Sequence, residues 1–549
     1  MASLQKKIVK GIEYWSLVES RRINGKPRPI VIEYFGNTKK FAEILMNGRN
    51  ENKVLKSYSH GDTFALLKIA ELLSVEQILD DKIKPKTGNG LKRSTSLLLL
   101  ALQSVCKPGS KSDFEAWIKT TTLPYEYNLP TESLTCRHFW KQMDNIDETE
   151  LAAAEDAIIN EILSKYNFGL DKIALDYTNY FSYISSSNER SELAKRGRNK
   201  QKRHDLRQFS LALITTKDSG LPLYSHIYEG NKNDQTVFAE YTGILKSRIP
   251  DYDPKIITFV FDGGSNTKAN LEKLETHYIC SFSLSYCKEL YDIDIAEYYD
   301  IEIGGKTVKC YRLTTEIWDK DRECVLTYSQ SLYIGQAKEL DENIAKAQDS
   351  INSLNEQLNN PKSRISKDKA SIQSKIKTIL NKKYMCDILK THIQSSVKDS
   401  TVIYVGYTVD ENVKHHIMRK YFGKKLLITD HMNWTTTEIL KTYREQDCIE
   451  KIFRATKDND HCAIRPQFHY TDQKIRVHIF CCLLGLTLAT ILHYELSNRG
   501  FNASKFQLLD NLHSIRRCWI KDKDGSRATN VLESMNDSQT ALWKIIQSL

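Results

Sequence analysis

The chain has 549 residues, and at roughly 150 residues per domain this length predicts three or four domains. Hydrophobic residues make up 40% of the sequence and charged residues 27%, with 23 Gly and 11 Pro, which excludes a collagen-like or disordered chain. The twelve Cys include no CxxC pair, so we expect reduced thiols and no disulfide framework.

The sequence predicts a protein without membrane contact. Its longest apolar segment, residues 479–492, is shorter than the about 20 residues that cross a bilayer, so we expect a buried core helix there. The first residues, MASLQKKIVKGIE, lack the apolar stretch of a signal peptide. We therefore expect a cytoplasmic location.

Positive charge is concentrated in one segment. The whole chain has 79 basic and 69 acidic residues, a net charge of +10, which by itself indicates a polyanionic partner only weakly. Between residues 195 and 207, however, seven Lys or Arg stand against a single acid, Asp205. Such a segment either neutralises phosphates or forms a solvated basic loop. The seven are Lys195, Arg196, Arg198, Lys200, Lys202, Arg203 and Arg207.

The first part of the chain predicts an arm followed by a helical domain. Two strand-like runs between residues 12 and 35 flank the turn signal Asn24–Gly25, so residues 1–59 are interpreted as a basic β-hairpin arm. Residues 60–168 have helical periodicity and are interpreted as a DNA-binding domain. A helix-turn-helix around residues 131–145, with Arg137, His138 and Lys141, is one candidate within it.

The next part predicts half of a catalytic domain, residues 169–285. Three β-rich runs at 172–184, 208–216 and 221–230 precede a helix near 235–248 and an apolar strand at 255–264. This β-β-β-α-β order is that of the ribonuclease-H-like fold. Residues 424–500 are expected to form the second half of the same domain.

A long insertion, residues 286–423, separates the two halves. Leu340, Ile344, Ala347, Ile351, Leu354 and Leu358 follow heptad spacing, and Ile365, Ile372, Ile376 and Ile379 follow Pro361. The pattern predicts two antiparallel helices, which either project from the domain or pack on its body. Residues 501–549 are predicted to be a helical tail. The fold class is thus α/β multidomain: a ribonuclease-H-like core with an α+β insertion, preceded by the arm and the helical domain.

Two carboxylates are prominent because of their positions on predicted strands. Asp176 lies within the first strand of the core, and Asp262 ends the strand that follows the helix. Ligands of open α/β sheets bind at the carboxyl ends of strands, and a carboxylate on a buried strand needs a compensating cation. The alternatives are a cap for the turn Gly263–Gly264 in the case of Asp262 and an edge-strand hydrogen bond in the case of Asp176.

A third carboxylate, Glu450, lies in KTYREQDCIEKIFRATK. At 100° per residue, one helical face of this segment carries Glu450 together with four other residues, while Ile449 and Ile452 occupy the opposite side. A solvated charged face is the simpler alternative for such a helix. The four other residues are Tyr443, Gln446, Arg454 and Lys457.

These residues resemble the DDE transposases of bacterial insertion sequences, in the branch with a Tyr, Arg, Glu, Lys signature on the last catalytic helix. Tyr443, Glu450 and Lys457 match the signature, and Gln446 stands in the place of its Arg. The segments LDYTNYFSY, YEGNKNDQTVF and FDGGSNTKANLEKL are also similar to that branch. The resemblance covers about residues 10 to 495.

The resemblance implies a mechanism and partners. Asp176, Asp262 and Glu450 would hold two Mg²⁺ ions, with Mn²⁺ as a substitute, and would catalyse cleavage at the ends of the element and joining of its 3′ ends to target DNA. Tyr443, the residue at 446, Arg454 and Lys457 would contact DNA, as would the basic segment through Arg198, Lys200, Lys202 and Arg203. Trp318 is a candidate for stacking on a flipped base.

The expected partners are double-stranded DNA, both transposon ends and target, and a second copy of the chain in a homodimer on DNA. No small-molecule cofactor is expected, and the resemblance implies a bacterial, nucleoid-associated protein. Alternatives are a hydrolytic ribonuclease-H-like nuclease and a non-catalytic DNA-binding derivative of a transposase. A zinc site built from His461, Cys462, His469 and His478 fits no common spacing.

Overall fold

The structure is a computed structural model of the chain. It describes residues 2–23, 26–47, 53–88, 90–130, 134–199, 203–249, 253–396, 401–458, 460–464, 467–522 and 528–549. The chain divides into two compact units. The first contains residues 1–146, 459–462 and 481–549, and the second contains residues 147–458 and 463–480.

The first unit begins with a three-stranded antiparallel sheet. Its strands are β1 (Ala2–Val9), β2 (Ile12–Ile23) and β3 (Lys26–Asn37), in the order β1-β2-β3. The predicted hairpin is confirmed, since β2 pairs with β3. The predicted turn Asn24–Gly25 lies outside the described residues. Helix α1 (Thr38–Asn47) follows the sheet.

A helical part follows this sheet. Its longest helix, α4, is buried along almost its whole length. Of the three side chains in the helix-turn-helix candidate, His138 is buried, with its ring 3.1 Å from the hydroxyl of Ser96, whereas Arg137 and Lys141 are exposed. Residues 131–133, where that motif was expected to begin, lie outside the described residues. The elements are β4 (Lys53–Ser59), α2 (Gly61–Leu72), α3 (Val75–Lys82), β5 (Thr87–Gly88), β6 (Leu91–Lys92), α4 (Arg93–Cys106), α5 (Lys111–Ile118), α6 (Leu123–Glu126) and α7 (Cys136–Gln142).

The second unit is built on a nine-stranded mixed sheet. Its strands are β7 (Lys172–Ser182), β8 (Arg207–Thr216), β9 (Pro222–Glu229), β10 (Thr258–Phe261), β11 (His277–Phe282), β12 (Tyr299–Ile303), β13 (Lys306–Glu316), β14 (Asp321–Tyr328) and β17 (Lys424–Thr429). The two remaining strands of the unit, β15 (Leu389–Ser395) and β16 (Val402–Val409), form a separate antiparallel pair.

The order of the sheet is β12-β13-β14-β17-β11-β10-β7-β8-β9. β10 is parallel to both β7 and β11, and the other pairs are antiparallel. The predicted strands of the core and the helix between β9 and β10 are therefore confirmed. The helices of this unit are α8 (Glu148–Lys165), α9 (Asp234–Arg248), α10 (Lys268–Lys273), α11 (Gln330–Asn359), α12 (Lys369–Ile379), α13 (Met385–Ile388), α14 (Glu411–Tyr421), α15 (Thr436–Arg444) and α16 (Asp447–Ala455).

The insertion contributes to the sheet and also builds a small core of its own. β12, β13 and β14 extend the main sheet beyond β17. The predicted heptad residues of α11 are all buried and pack against Ile372 and Ile376 of α12, as the hairpin prediction required. α12 begins only at Lys369, so Ile365 lies before the helix. The two helices do not stand alone, because β15, β16, α13 and α14 share their apolar cluster.

The predicted apolar core helix is part of α17 (Asp472–Asn498). Among the described residues this helix has the length and apolar composition of a membrane span, and 89% of its most apolar window is buried inside the structure. All twelve Cys are free, as expected from their spacing.

The tail is not wholly helical, which corrects the prediction for residues 501–549. Between α18 (Lys505–His513) and α19 (Asp537–Ser548) it contains β18 (Arg516–Asp522) and β19 (Ala528–Leu532). β18 lies between β19 and β4 in an antiparallel sheet. The helical prediction missed these strands because their partner, β4, belongs to the opposite end of the chain.

A buried amide joins α11 to β16 and gives a test of this arrangement. Asn355 donates to the carbonyl oxygen of Val405 at 2.9 Å and accepts from its N–H at 2.8 Å. We expect Asn355→Ala to lower the free energy of unfolding by about 1–3 kcal/mol, because both backbone groups lose their partner. Urea denaturation measures the change. Asn352→Ala on the exposed side of α11 is the matched control, and an equal loss in both variants would contradict the prediction.

Candidate active site

The pairing of β10 with β7 brings two predicted carboxylates to the same level of the sheet. Phe261 lies opposite Leu175 in this parallel pair, so the next residues along, Asp262 and Asp176, are opposite each other. Asp262 keeps an extended backbone, with φ −86° and ψ 164°. Neighbouring strands are about 4.8 Å apart, and residues at one level of a ladder point to one face. The two carboxylates therefore share a face at the carboxyl end of β10.

The structure does not support the two structural alternatives for these carboxylates. Asp262 precedes the short 3-10 turn Gly263–Ser265, but its side chain makes no capping hydrogen bond to it. Asp176 does not lie on an edge strand, because β7 is flanked by β10 and β8. Its carboxylate accepts from the N–H of Tyr177 at 2.8 Å.

Asp262 is held in a small network of polar groups on the same face. The hydroxyl of Tyr443, at the end of α15, donates to Oδ1 of Asp262 at 2.5 Å. Lys425, near the start of β17, donates to the Tyr443 hydroxyl at 2.7 Å, and its Nζ lies 4.5 Å from the ring centroid. The hydroxyl of Ser281 lies 3.4 Å from Oδ1 and accepts the N–H of Gly263 at 2.8 Å.

Tyr443 is a persistent hydrogen-bond donor in this network. Burial raises the pKa of its phenol above the ordinary value, and the negative charge of Asp262 raises it further. The phenol therefore keeps its proton at neutral pH. A protonated tyrosine and a lysine thus stand beside the carboxylate in the absence of metal.

The helix predicted to carry the whole signature is interrupted, which corrects the single-face geometry. α15 ends at Arg444 and α16 begins at Asp447. Glu445 at the break forms an ion pair with the buried Lys217. Gln446 is only 6% exposed, so it does not lie with Tyr443 and Glu450 on an exposed face.

α16 lies over β7 on the face that carries Asp176. The hydroxyl groups of Thr456 and Tyr180 are 2.6 Å apart, and Lys457 hydrogen-bonds to the hydroxyl of Thr178. Thr178 and Tyr180 alternate with the residues of the other face, as Asp176 does, so all three point towards α16. α16 therefore packs on the face of β7 to which Asp176 belongs.

Glu450 and Cys448 lie on opposite sides of α16. Cys448 contacts the backbone carbonyl of Thr216 in β8, with Sγ at 3.8 Å. At 100° per residue, Glu450 lies about 160° around the helix from Cys448. Glu450 is exposed.

Arg454, Lys457 and Trp318, which were also predicted to contact DNA, differ in exposure and in their neighbours. Arg454 is exposed on α16, and Lys457 lies 5.6 Å from the ring centroid of Tyr180. Trp318 is in the turn between β13 and β14, where it packs edge-on against Phe282 with ring centroids 5.0 Å apart. Phe282 follows Ser281, so this turn borders the same edge of the sheet as Asp262.

The basic segment is only partly available to a ligand. Arg203 makes a bidentate ion pair with Asp205, with both contacts at 2.8 Å. Arg207 donates to the carbonyl oxygens of Asn188 and Ser186, so it holds the local backbone. Arg198 is exposed. Two further predicted contacts, Lys200 and Lys202, lie outside the described residues.

A cluster that sequence reasoning missed lies at the other end of the strands. Within the described part of the chain, the one group of three His, Cys, Asp or Glu side chains with ligand atoms within 4.8 Å of one another is His277, Asp430 and His431. His277 and Thr258, whose hydroxyl is 2.8 Å from His431, are the first residues of β11 and β10. Asp262 is four residues further along, or about 13 Å.

Hydrogen bonds and ring stacking already engage the side chains of this cluster. The rings of His277 and His431 are stacked with centroids 4.3 Å apart. Asp430 already accepts from the N–H of Tyr278 at 3.0 Å and lies 2.9 Å from Nδ1 of His277. Burial lowers the pKa of His431 to about 4, and His277 contributes, so the ring is neutral. Hydrogen bonds and stacking account for the cluster.

The zinc alternative finds no support in the structure. His461 stacks on Phe506 with ring centroids 4.6 Å apart, and His478 hydrogen-bonds to the carbonyl oxygen of Ile464 at 3.0 Å. Neither residue, nor Cys462 or His469, belongs to a ligand group of three among the residues described.

No protein-family model matches the chain, and no curated protein matches it. Among solved structures, the chain is similar to the transposase in "Cryo-EM structure of piggyBac transposase synaptic complex with hairpin DNA". The two share 10% sequence identity over 82% of this chain and 79% of that one, with a TM-score of 0.35. A similarity this small carries no argument about fold or function, so the function has to be inferred from the site.

The contact between Tyr443 and Asp262 gives a test of the site geometry. A hydrogen bond to a charged group contributes about 1.5–3 kcal/mol, so Tyr443→Phe and Asp262→Asn should show a coupling energy of more than about 1 kcal/mol in a double-mutant cycle. Urea denaturation without divalent metal measures it. Tyr443→Phe combined with Asp430→Asn is the control and should be additive. Additivity of the first pair would contradict the geometry.

Proposed function

We propose that this protein is a metal-dependent DNA transposase of the insertion-sequence type, which cuts at the ends of its element and joins the 3′ ends to target DNA. One observation carries the proposal. The register of β10 with β7, which ends with Phe261 opposite Leu175, supports neighbouring positions for Asp262 and Asp176, and α16, which bears Glu450, packs against β7. Three carboxylates from three separate elements on one face of a sheet are the ligand set of two-metal phosphoryl transfer.

The topology supports a ribonuclease-H-like core. Three antiparallel strands, β9, β8 and β7, are followed across the sheet by β10 and β11, which run parallel to β7. If these five strands are numbered 1 to 5 in chain order from β7, their order across the sheet from β9 to β11 is 3-2-1-4-5. The candidate carboxylates then belong to the first and fourth strands and to a later helix, which is the distribution that the resemblance implies.

The donor set suits divalent magnesium or manganese. Asp176, Asp262 and Glu450 offer only oxygen ligands, which hard cations prefer. Carboxylates on neighbouring strands repel each other, and a cation bound between them would offset this repulsion. When bound, Mg²⁺ would activate the attacking hydroxyl group and stabilise the leaving oxygen.

Other side chains would position Asp262 and bind the DNA phosphates. Tyr443 and Lys425 hold Asp262 in position through the hydrogen bonds described above. Lys457 is fixed on the face of Asp176, where its ammonium group would attract the phosphate next to the scissile bond. Arg454 is exposed on the same helix and would contact the DNA backbone further out.

The proposal includes a role for Trp318 and for DNA partners. Trp318 borders the edge of the sheet that carries Asp262, which supports a role in stacking on an unpaired base. The substrate would be double-stranded DNA, and two copies of the chain would bring the two ends together. The resemblance to transposases of bacterial insertion sequences supports a bacterial, nucleoid-associated location.

Substitution of Glu450 tests the proposal. We expect Glu450→Gln to lower Mg²⁺-dependent cleavage of the DNA that flanks the gene by about a thousandfold or more, because loss of a metal ligand removes several kcal/mol of transition-state stabilisation. Binding to the same DNA should change little. Glu438→Gln, a charge-matched change on α15, is the control. Undiminished cleavage by Glu450→Gln would refute the site.

A second assay separates transposase from nuclease. A duplex with the flanking sequence and a free 3′-hydroxyl is incubated with supercoiled target DNA and Mg²⁺. A transposase joins the 3′ end to the target, whereas a hydrolytic nuclease only shortens the DNA. Binding without any cleavage would identify a non-catalytic derivative.

The basic segment gives a further prediction. Changing Arg198, Lys200, Lys202 and Arg203 to Gln should weaken binding to flanking and random DNA by similar factors. It should also flatten the plot of log affinity against log salt by about 0.9 per lost phosphate contact. Arg203 should contribute least, since Asp205 already binds it. The control has the same charge change at Lys362, Lys367, Lys369 and Lys377. An unchanged salt slope with altered specificity would show that the segment reads bases.

A further inference from the structure

Three exposed aromatic side chains belong to two bridged segments at the far end of β7. Tyr183 follows the last residue of the strand and is 55% exposed, and Phe468 and Tyr470 are 50% and 52% exposed. The rings of Tyr183 and Phe468 have centroids 5.6 Å apart with an angle of 31° between their planes. Burying such rings is favourable, so their exposure in one place indicates a binding surface.

The backbone beneath these rings is well ordered. The N–H of Tyr183 donates to the carbonyl oxygen of Gln467 at 3.2 Å, which continues the parallel bridge between Ser182 and Gln467. Gln467 and His469 are buried, so the alternation of this short extended segment turns Phe468 and Tyr470 outwards. The aromatic side chains are thus presented on a fixed frame.

A basic cavity lies beside the loop that follows Tyr183. The loop after Tyr183 receives hydrogen bonds from two arginines: Arg207 donates to the carbonyl oxygen of Ser186 at 2.6 Å, and Arg196 donates to its hydroxyl at 3.0 Å. Lys195, Arg196 and Arg207 line an open cavity of about 420 Å³ beside this loop. Glu189 is the one acid among the lining residues. The cavity suits an anion of phosphate size.

We propose that Tyr183, Phe468 and Tyr470, together with Lys195 and Arg196, form an aromatic–basic surface that binds an unpaired DNA strand. The combination of charges with exposed rings selects this ligand. Cations alone would suit duplex phosphates, but aromatic faces need bases whose own faces are free, and a duplex hides those faces in its stack.

The position of the surface relates it to the candidate active site. Tyr183 is seven residues beyond Asp176, which is about 23 Å along an extended chain. A strand released by cleavage at the carboxylates would reach the surface after a few nucleotides. This role rests on the proposed function, whereas strand binding itself does not require catalysis.

Fluorescence anisotropy with a 20-nucleotide single strand and its duplex tests the proposal, using the full-length chain without divalent metal. We expect Phe468→Leu and Tyr183→Leu each to weaken single-strand binding by about tenfold and duplex binding by less than twofold. Arg196→Gln should reduce the salt slope for the single strand by about 0.7. Tyr404→Leu, at a 42% exposed tyrosine of β16, is the control and should change neither affinity.

Several outcomes would overturn the proposal. Equal loss of single-strand and duplex affinity would show that the surface contacts phosphates and not bases. Unchanged affinity in the leucine variants would show that the surface does not bind DNA. Tighter binding of an RNA strand of the same sequence would assign it to RNA. Thermal melting of each variant checks that the fold is retained, as expected for half-exposed side chains.

The same experiments distinguish this inference from the proposed function. If the wild-type chain binds the strand through the surface but does not cleave the DNA that flanks its gene, the transposase proposal fails and the surface stands. If cleavage is normal and the leucine variants bind the single strand as tightly as the wild-type chain does, only the proposal for the surface is refuted.

Discussion

The parallel pairing of β10 with β7 is the interaction on which the candidate site depends. Its register sets Asp262 opposite Asp176, and a shift by one residue would turn one carboxylate to the other face of the sheet. Phe259, Val260 and Phe261 are buried almost completely, so a shift would also move these apolar side chains out of their packing. Burial of these apolar side chains therefore stabilises the register. The positions of the two carboxylates follow from that register.

Charge is the second constraint on this face. Two carboxylates on neighbouring strands repel each other, and polar groups from distant segments surround Asp262. Tyr443 and Lys425 come from α15 and β17, far from β10 in sequence, yet they meet at Asp262. A donor and a cation next to a carboxylate lower the cost of keeping it ionised without metal. The same groups would also attract a phosphate.

The insertion shapes the edge of the site as well as forming a separate body. β14 pairs with β17, and β17 pairs with β11, so the inserted strands continue the sheet that carries the carboxylates. Their tight turn carries Trp318, whose φ of +54° lies in the left-handed region. The helices α11 and α12 instead pack on β15 and β16, with Asn355 joining the layers. One part of the insertion, β12 to β14, therefore extends the main sheet, and the other part packs around α11 and α12.

Much of the site was predictable from local sequence. The strands and helix of the core, the heptads of α11, and the positions of Asp176 and Asp262 on β7 and at the end of β10 follow from hydrophobic periodicity, because each residue's preference depends on near neighbours. The sequence does not disclose the break between α15 and α16, which coincides with the ion pair of Glu445 with Lys217.

Only the tertiary structure decided which side chains remain available to a ligand. Gln446 is buried, Arg207 holds backbone carbonyl oxygens, and Tyr443 faces Asp262, although their sequence patterns are those of surface residues. The exposed rings of Tyr183 and Phe468 also come together only through the bridge between distant segments. Periodicity determines which face of an element is apolar. The partner that covers a face depends on pairing between segments hundreds of residues apart, and no local pattern records that pairing.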